Sequence, residues 1–287
     1  MNGAATALAL GSAACFALGA ALQQRAARQE PQHGAADPRL LIRLLRRKAW
    51  LLAKIPDLAG TVLQAVALRF GPLTLIQPLL ISGMFLAIPL EAALDHRRPH
   101  PRDVTAVAAC VLGLTVFLAA ARPRAGVAEP SLTGWLGMAL IGGTLVGICL
   151  LLAHRATDAA RGTLLGIASG LLYAGTAALL KTVADRVGRD PLSTLADWHL
   201  YALALVGFAS VALNQNAFQN GPLAAPLTAI TLVDPVASVV IGVTAFHETL
   251  SFGGLRLLLE VPAILAMGFG IWLASTRSTG REGYEGG

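Results

Sequence analysis

Residues 220–254 read NGPLAAPLTAITLVDPVASVVIGVTAFHETLSFGG, and the placement of this stretch decides the fold. From Pro222 to Phe246 it is apolar and long enough to cross a bilayer, for which about 20 apolar residues suffice. Roughly halfway along stands a carboxylate, Asp234, followed at once by Pro235. An unpaired charge at mid-bilayer depth costs at least about 2.5–3.5 kcal/mol on insertion scales, so such a residue faces a bundle interior or a wet cavity and not lipid. Pro235 lacks a backbone N–H and crowds the preceding turn, which predicts a kink and a freed carbonyl. An acid, a kink and a loose carbonyl at one depth predict a binding site. The plainer alternative is an aspartate that only bonds a neighbouring helix.

The rest of the chain extends the same chemistry. Of 287 residues, 55% are hydrophobic and 13% are charged, where soluble domains carry about 25% charged residues. This is the composition of an all-α integral membrane protein, and no interval between apolar segments is long enough for a separate globular domain. Cys15, Cys110 and Cys149 lie inside apolar segments without C-x-x-C spacing, which argues against a disulfide framework or a metal cluster. The net charge of +6 comes from arginines in loops between apolar runs, the pattern of membrane topology and not of a nucleic-acid stripe. No G-x-S-x-G, H-E-x-x-H or P-loop is present, so neither an enzyme nor a resident cofactor is expected. No Lys or Arg precedes the first apolar stretch, which therefore reads as a transmembrane helix and not as a signal peptide.

Nine spans are predicted, at 3–22, 50–69, 72–94, 103–121, 134–153, 161–181, 198–216, 222–246 and 254–275. Between the first two lies a basic stretch, 23–49, whose second part from Leu40 to Lys48 alternates apolar and basic residues at helical spacing, as in a helix lying on lipid headgroups. With this loop cytoplasmic, fourteen Lys and Arg residues fall inside and six outside. That bias places the N-terminus outside and the C-terminus in the cytoplasm of a plasma-membrane protein. Residues 276–287 are expected to form a disordered tail.

Two stretches resemble each other. FGPLTLIQPLLISGMFLAIPLEAALDHRRP (70–99) and the opening segment both begin with Gly-Pro-Leu, place a polar residue before proline (Gln77-Pro78, Asp234-Pro235) and carry a glutamate thirteen residues later (Glu91, Glu248). On the topology above they run in opposite directions. Such inverted repeats place secondary-transporter sites at the midplane between two halves.

At these residues the sequence resembles the drug/metabolite transporter superfamily, with the opening segment and the Gly-rich span after it similar to a second EamA-type repeat. The resemblance implies two inverted repeats, 1–121 and 134–275. Because 23–49 is too basic to span, the layout becomes four plus five helices, similar to the NIPA-type magnesium transporter branch.

Polar residues inside spans are the site candidates. Asp234, Asn214, Asn216, Gln64, Gln77 and Glu91 are expected along a solute or ion pathway. Pro78, Pro235, Glu248 and Glu260 are assigned to gating or to structure, with Lys181 and Glu248 near the outer interface as part of an outer gate. Glu260, four residues after Arg256, has the spacing of a helix ion pair. Tyr173 and Ser169 share a helix face, for which aromatic packing suffices. Gly142-Gly143 with Gly147, and Gly166 with Gly170, form small-residue surfaces that serve bundle packing or a homodimer.

The sequence thus supports three functions. The first is a secondary transporter in which Asp234 binds a proton, a cation or a cationic group of a small-molecule substrate. The second is a NIPA-like Mg²⁺ pathway with Asp234 as the metal-facing acid, and the third a non-transporting membrane scaffold.

Overall fold

The computed structural model describes residues 3–28, 48–80, 83, 101–156, 158–219, 224–250, 262–263 and 265–266. The named elements are all helical: α1 (Gly3–Arg28), α2 (Lys48–Phe70), α3 (73–80), α4 (Pro101–Ala121), α5 (Leu132–Ala153), α6 (Asp158–Arg189), the single turn α7 (Pro191–Thr194), α8 (Trp198–Gln219) and α9 (Ala224–Thr244). The fold class is all-α, and the extended pairing among the described residues is an isolated bridge between Arg124 and Thr249. Most of the loop 23–49, the tail 276–287 and the greater part of 254–275 lie outside the described residues.

Helix ends follow local chemistry. Ser131 caps α5, its side chain accepting from the Gly134 N–H at 3.2 Å. Asp190 caps α7 by accepting from the Leu192 and Ser193 N–H groups, with Pro191 at the first helical position, where its missing donor costs nothing. The helix expected over 161–181 continues to Arg189. Lys181 and Asp185 would suit a polar exit from the membrane at that point, but Lys181 is buried and Asp185 pairs with Arg189 one turn on. Pro235 lies inside α9, which is one continuous helix from Ala224 to Thr244.

Close packing accounts for that continuity. α6 is the central post, contacting α5, α8 and α9 and reaching α2, while α1 packs along α2. A Cβ at Gly166 would stand 2.8 Å from the Pro226 carbonyl oxygen, and one at Gly170 would stand 2.9 Å from the Val233 Cβ. The α9 backbone is thus pressed onto α6 along the turns that lead into Pro235. Ala5, Ala9, Ala67, Leu68, Leu73 and Ile76 form one core with Ala177 of α6, so α1–α3 and α6 bury a common surface. The α2 end is tied to the α6 end by Arg69, which donates to the Gly188 carbonyl at 3.2 Å.

Two described helices, Leu132–Ala153 and Ala160–Arg189, are long and apolar enough to cross a membrane. They differ in surroundings: the apolar window of the first is only 6% buried, that of the second 50%. On α5 the side chains of Leu132, Leu136, Leu140, Ile141 and Leu151 are all exposed. Soluble monomers rarely present so continuous an apolar surface to water, whereas lipid covers it at no cost.

The close approach at Gly166 makes a prediction. Gly166→Ala has backbone in its way and is expected to lower stability by about 1–3 kcal/mol, read as thermal unfolding in detergent. Gly142→Ala, where a Cβ meets nothing within 4 Å, is expected to leave stability unchanged or raise it slightly.

Candidate functional site

Asp234 is half-buried on the α9 surface that faces α6. Ser238, one turn on, donates to Asp234 Oδ1 at 3.2 Å. Across from it, Gly170 allows contact so close that an added Cβ would lie 3.2 Å from the Asp234 backbone nitrogen. Tyr173, a turn from Gly170 on α6, lies within electrostatic reach of Asp234. Its hydroxyl accepts from Asn214 Nδ2 of α8 at 3.1 Å, and Asn214 Oδ1 is buried without a hydrogen-bond partner. Asp234, Tyr173, Asn214 and Ser238 thus form a polar patch among three packed helices. Its free capacity is two acceptors, a carboxylate and an amide oxygen, beside the Tyr173 O–H donor, and the acceptors suit a proton, a metal cation or an N–H-bearing guest.

The other expected pathway residues divide. Asn216 is exposed and donates to the Ala212 carbonyl of its own helix at 2.8 Å. Gln64 is half-buried on α2. Gln77 is 3% exposed on α3, its Nε2 without a hydrogen-bond partner, and Pro78 beside it is buried too. Glu91 and Glu260 lie outside the described residues.

These positions belong to an arrangement that occurs twice. Ser12 of α1 donates to the Gly60 carbonyl of α2 at 2.7 Å, and Ser169 of α6 donates to the Ser210 carbonyl of α8 at 3.0 Å. Four residues after each serine comes an aromatic, Phe16 or Tyr173, and four after each acceptor an amide, Gln64 or Asn214. A polar residue followed by proline completes each set, Gln77 in one and Asp234 in the other. The first set is uncharged. In the second, phenylalanine is replaced by tyrosine and glutamine by aspartate, which concentrates polarity on α6, α8 and α9.

A second polar centre joins α3 to α6 and to the chain after α9. Glu248 is 2% exposed and Lys181 6% exposed, and the two form an ion pair. The same carboxylate accepts from the Leu73 N–H at 2.7 Å and the Thr74 N–H at 2.8 Å, which are unpaired donors at the α3 N-terminus. Lys181 Nζ also stands 4.5 Å from the Phe246 ring centroid, at cation–π range. His247, with φ 52°, turns the chain so that Glu248 points inward. A Cβ at Gly242 would meet Glu248 Oε2 at 2.6 Å and Thr74 Cγ2 at 2.7 Å, so glycine leaves the carboxylate its space.

A third centre has almost no signature in the sequence. Arg186 donates to both oxygens of Glu129 at 2.7 and 3.2 Å and pairs with Asp197. Asp197 Oδ1 accepts from the His199 backbone N–H at 2.9 Å and meets its ring Nδ1 at 2.5 Å. Burial alone would raise the Asp197 carboxyl, but the bonds from His199 and the charge of Arg186 hold it below the usual carboxylate range. The local signal is Asp197 ahead of Trp198-His199, an N-cap spacing; nothing in the sequence points to Glu129 as its neighbour.

No family model matches the chain, and no solved structure matches it. It is similar to an uncharacterized protein of Corynebacterium glutamicum, 26% identical over 241 residues that cover 84% of this chain and 83% of that protein. The similarity therefore extends across most of both chains.

Removing one member of the Lys181–Glu248 pair leaves the other charge buried. Glu248→Gln is expected to cost about 3–5 kcal/mol, and the double variant Glu248→Gln/Lys181→Met to recover much of that loss. Thermal unfolding of the four proteins of this cycle in one detergent checks it.

Proposed function

We infer that the chain is a multi-pass membrane transporter of the drug/metabolite type, moving a small solute by alternating access. The observation that carries this reading is the patch of Asp234, Tyr173, Asn214 and Ser238, in which a half-buried carboxylate has no cationic partner among the described residues while an adjacent amide oxygen lacks a donor. A structural aspartate would be expected to have both oxygens satisfied by its neighbours. Here unused acceptor capacity lies among three helices, where a proton or a cationic solute group would complete it.

Further support comes from the twice-occurring serine, aromatic and amide arrangement, which accords with two related halves. Nine spans in a four-plus-five layout belong to this reading, with the N-terminus outside and the C-terminus cytoplasmic. Lys181 and Glu248 then act as a closed tie at the outer end, holding α3 against α6. Asp234 alternates between protonated and solute-bound forms, so that proton and solute exclude one another from one carboxylate. A Mg²⁺ pathway is less well served: the ion takes six oxygens in octahedral array, several of them waters, and the patch offers a carboxylate and an amide.

The test is transport in proteoliposomes containing a trapped pH dye or a Mg²⁺-sensitive dye, comparing wild type, Asp234→Asn and Tyr173→Phe. Imposed gradients of small organic cations are expected to drive counterflow of protons in wild type, which Asp234→Asn abolishes while keeping the wild-type elution profile. Tyr173→Phe is expected to slow it. Equal proton and cation movement in wild type and Asp234→Asn would overturn the assignment, and an Asp234-dependent Mg²⁺ signal would transfer it to the magnesium reading.

A further inference from the structure

Two polar side chains of α3 are buried without a hydrogen-bond partner. Thr74 is fully enclosed and Gln77 is 3% exposed, yet Thr74 Oγ1 and Gln77 Nε2 bond to nothing within the chain. Folded chains seldom bury a donor in this way, because an unpaired amide N–H forfeits its water and gains nothing in return. The two groups stand beside the Lys181–Glu248 tie but take no part in it. That carboxylate accepts from the Leu73 and Thr74 backbone N–H groups and from the ammonium.

Helix register places these groups relative to Asp234. Thr74 and Gln77, three residues apart, share a face of α3. A Cβ at Gly242 would meet Thr74 Cγ2 at 2.7 Å, so that face is turned toward α9, close to its end. From there α3 runs back into the bundle, since a Cβ at Gly83 would meet the Ala13 carbonyl oxygen of α1 at 2.5 Å. α3 and α9 therefore recede from their contact in opposite chain directions. At about 1.5 Å per residue, Gln77 lies about 4.5 Å from the Thr74–Gly242 level and Asp234 about 12 Å from it. The amide and the carboxylate thus differ in depth by about 7–8 Å, with Ser238 of α9 between their levels.

The uncommitted atoms at the two levels are complementary. Asp234 and Asn214 Oδ1 offer acceptors, and Gln77 Nε2 offers donors. Lys181, the buried cation of this region, is already paired with Glu248, so a carboxylate held at Gln77 would lie there without a counter-charge. A neutral carbonyl oxygen suits the amide without that penalty. We propose that Gln77 is a specificity-determining residue of the solute site: Asp234 takes the ammonium end of a short solute, and Gln77 donates to a neutral carbonyl oxygen at its other end. The inference rests on the transporter reading of Asp234 and narrows its substrates to short-chain ammonium compounds that carry an amide or ester carbonyl. The Thr74 hydroxyl stands beside Gln77 as a second donor. A solute of the same length that ends in hydrocarbon leaves the Gln77 donor unpaired and is disfavoured for that reason.

Isothermal titration calorimetry on the full chain in one detergent tests this with two amines of equal size, 4-aminobutanamide and 4-methylpentylamine. Heat that persists in Asp234→Asn is uptake by the micelle and is subtracted. Wild type is expected to bind the amide about three- to tenfold more tightly than the hydrocarbon amine, as one neutral hydrogen bond allows. Gln77→Met, close to glutamine in size, is expected to lose that preference. Its thermal unfolding temperature is expected to hold or rise, because an unpaired amide leaves the core. A glutamine that served structure alone would show the reverse, a preference kept and stability lost. Equal affinity of wild type for the two amines would overturn the role of Gln77 and leave the Asp234 reading in place, as would tighter binding of 4-aminobutanoate than of the amide. The absence of any Asp234-dependent heat would overturn both. If Gln77→Met does not fold, the comparison of ligands on wild type decides alone.

Discussion

A single carboxylate, Glu248, satisfies an ammonium group and two backbone amides at once, and the arrangement of the helices depends on it. A buried charge is tolerated only when it is paired and its oxygens are hydrogen-bonded; Lys181 supplies the charge, and Leu73 and Thr74 supply the donors. The benefit is mutual, since the α3 N-terminus would otherwise bury unpaired N–H groups. Features far apart in the chain serve this one contact. Gly242 leaves the space, His247 turns the backbone, and Phe246 lies beneath the ammonium.

Around that tie the molecule uses one framework twice and charges only one copy. Ser12 on Gly60 and Ser169 on Ser210 fix the same helix-to-helix contact. Where the first copy has Phe16, Gln64 and Gln77, the second has Tyr173, Asn214 and Asp234. Glutamine before a proline fills a core at modest cost, whereas aspartate in the same setting requires a partner. The asymmetry in charge is thus a substitution pattern laid over a common scaffold.

Much of this is legible in the sequence, for physical reasons that particular residues make clear. Apolar run length locates the helices, because twenty apolar residues have few other uses. Asp234 stands out because a charge inside such a run needs an explanation. Glu248 and Lys181 can be named together as a gate, yet their burial cannot be read, since both lie where a long side chain could equally reach solvent. Tyr173 reads as packing because its hydroxyl finds Asn214 forty-one residues away. A kink at Pro235 is expected from the backbone alone, and α9 passes through that residue as one continuous helix. The junction at His199 is invisible for the same reason in stronger form: its four ionisable groups come from loops and helix ends, where no periodicity marks which will meet.

The connection between α4 and α5 carries one more implication. In a molecule of two halves such a segment is the natural place for slack, a tether that lets each half turn freely. Here Arg124 and Val127 are stitched to the chain beyond α9, and Glu129 is gripped by Arg186. The connection is therefore fixed to α6 and to the chain beyond α9, like a strap sewn flat along its length. On the two-half reading proposed above, any rocking of one half on the other takes its freedom before Arg122, where α4 ends.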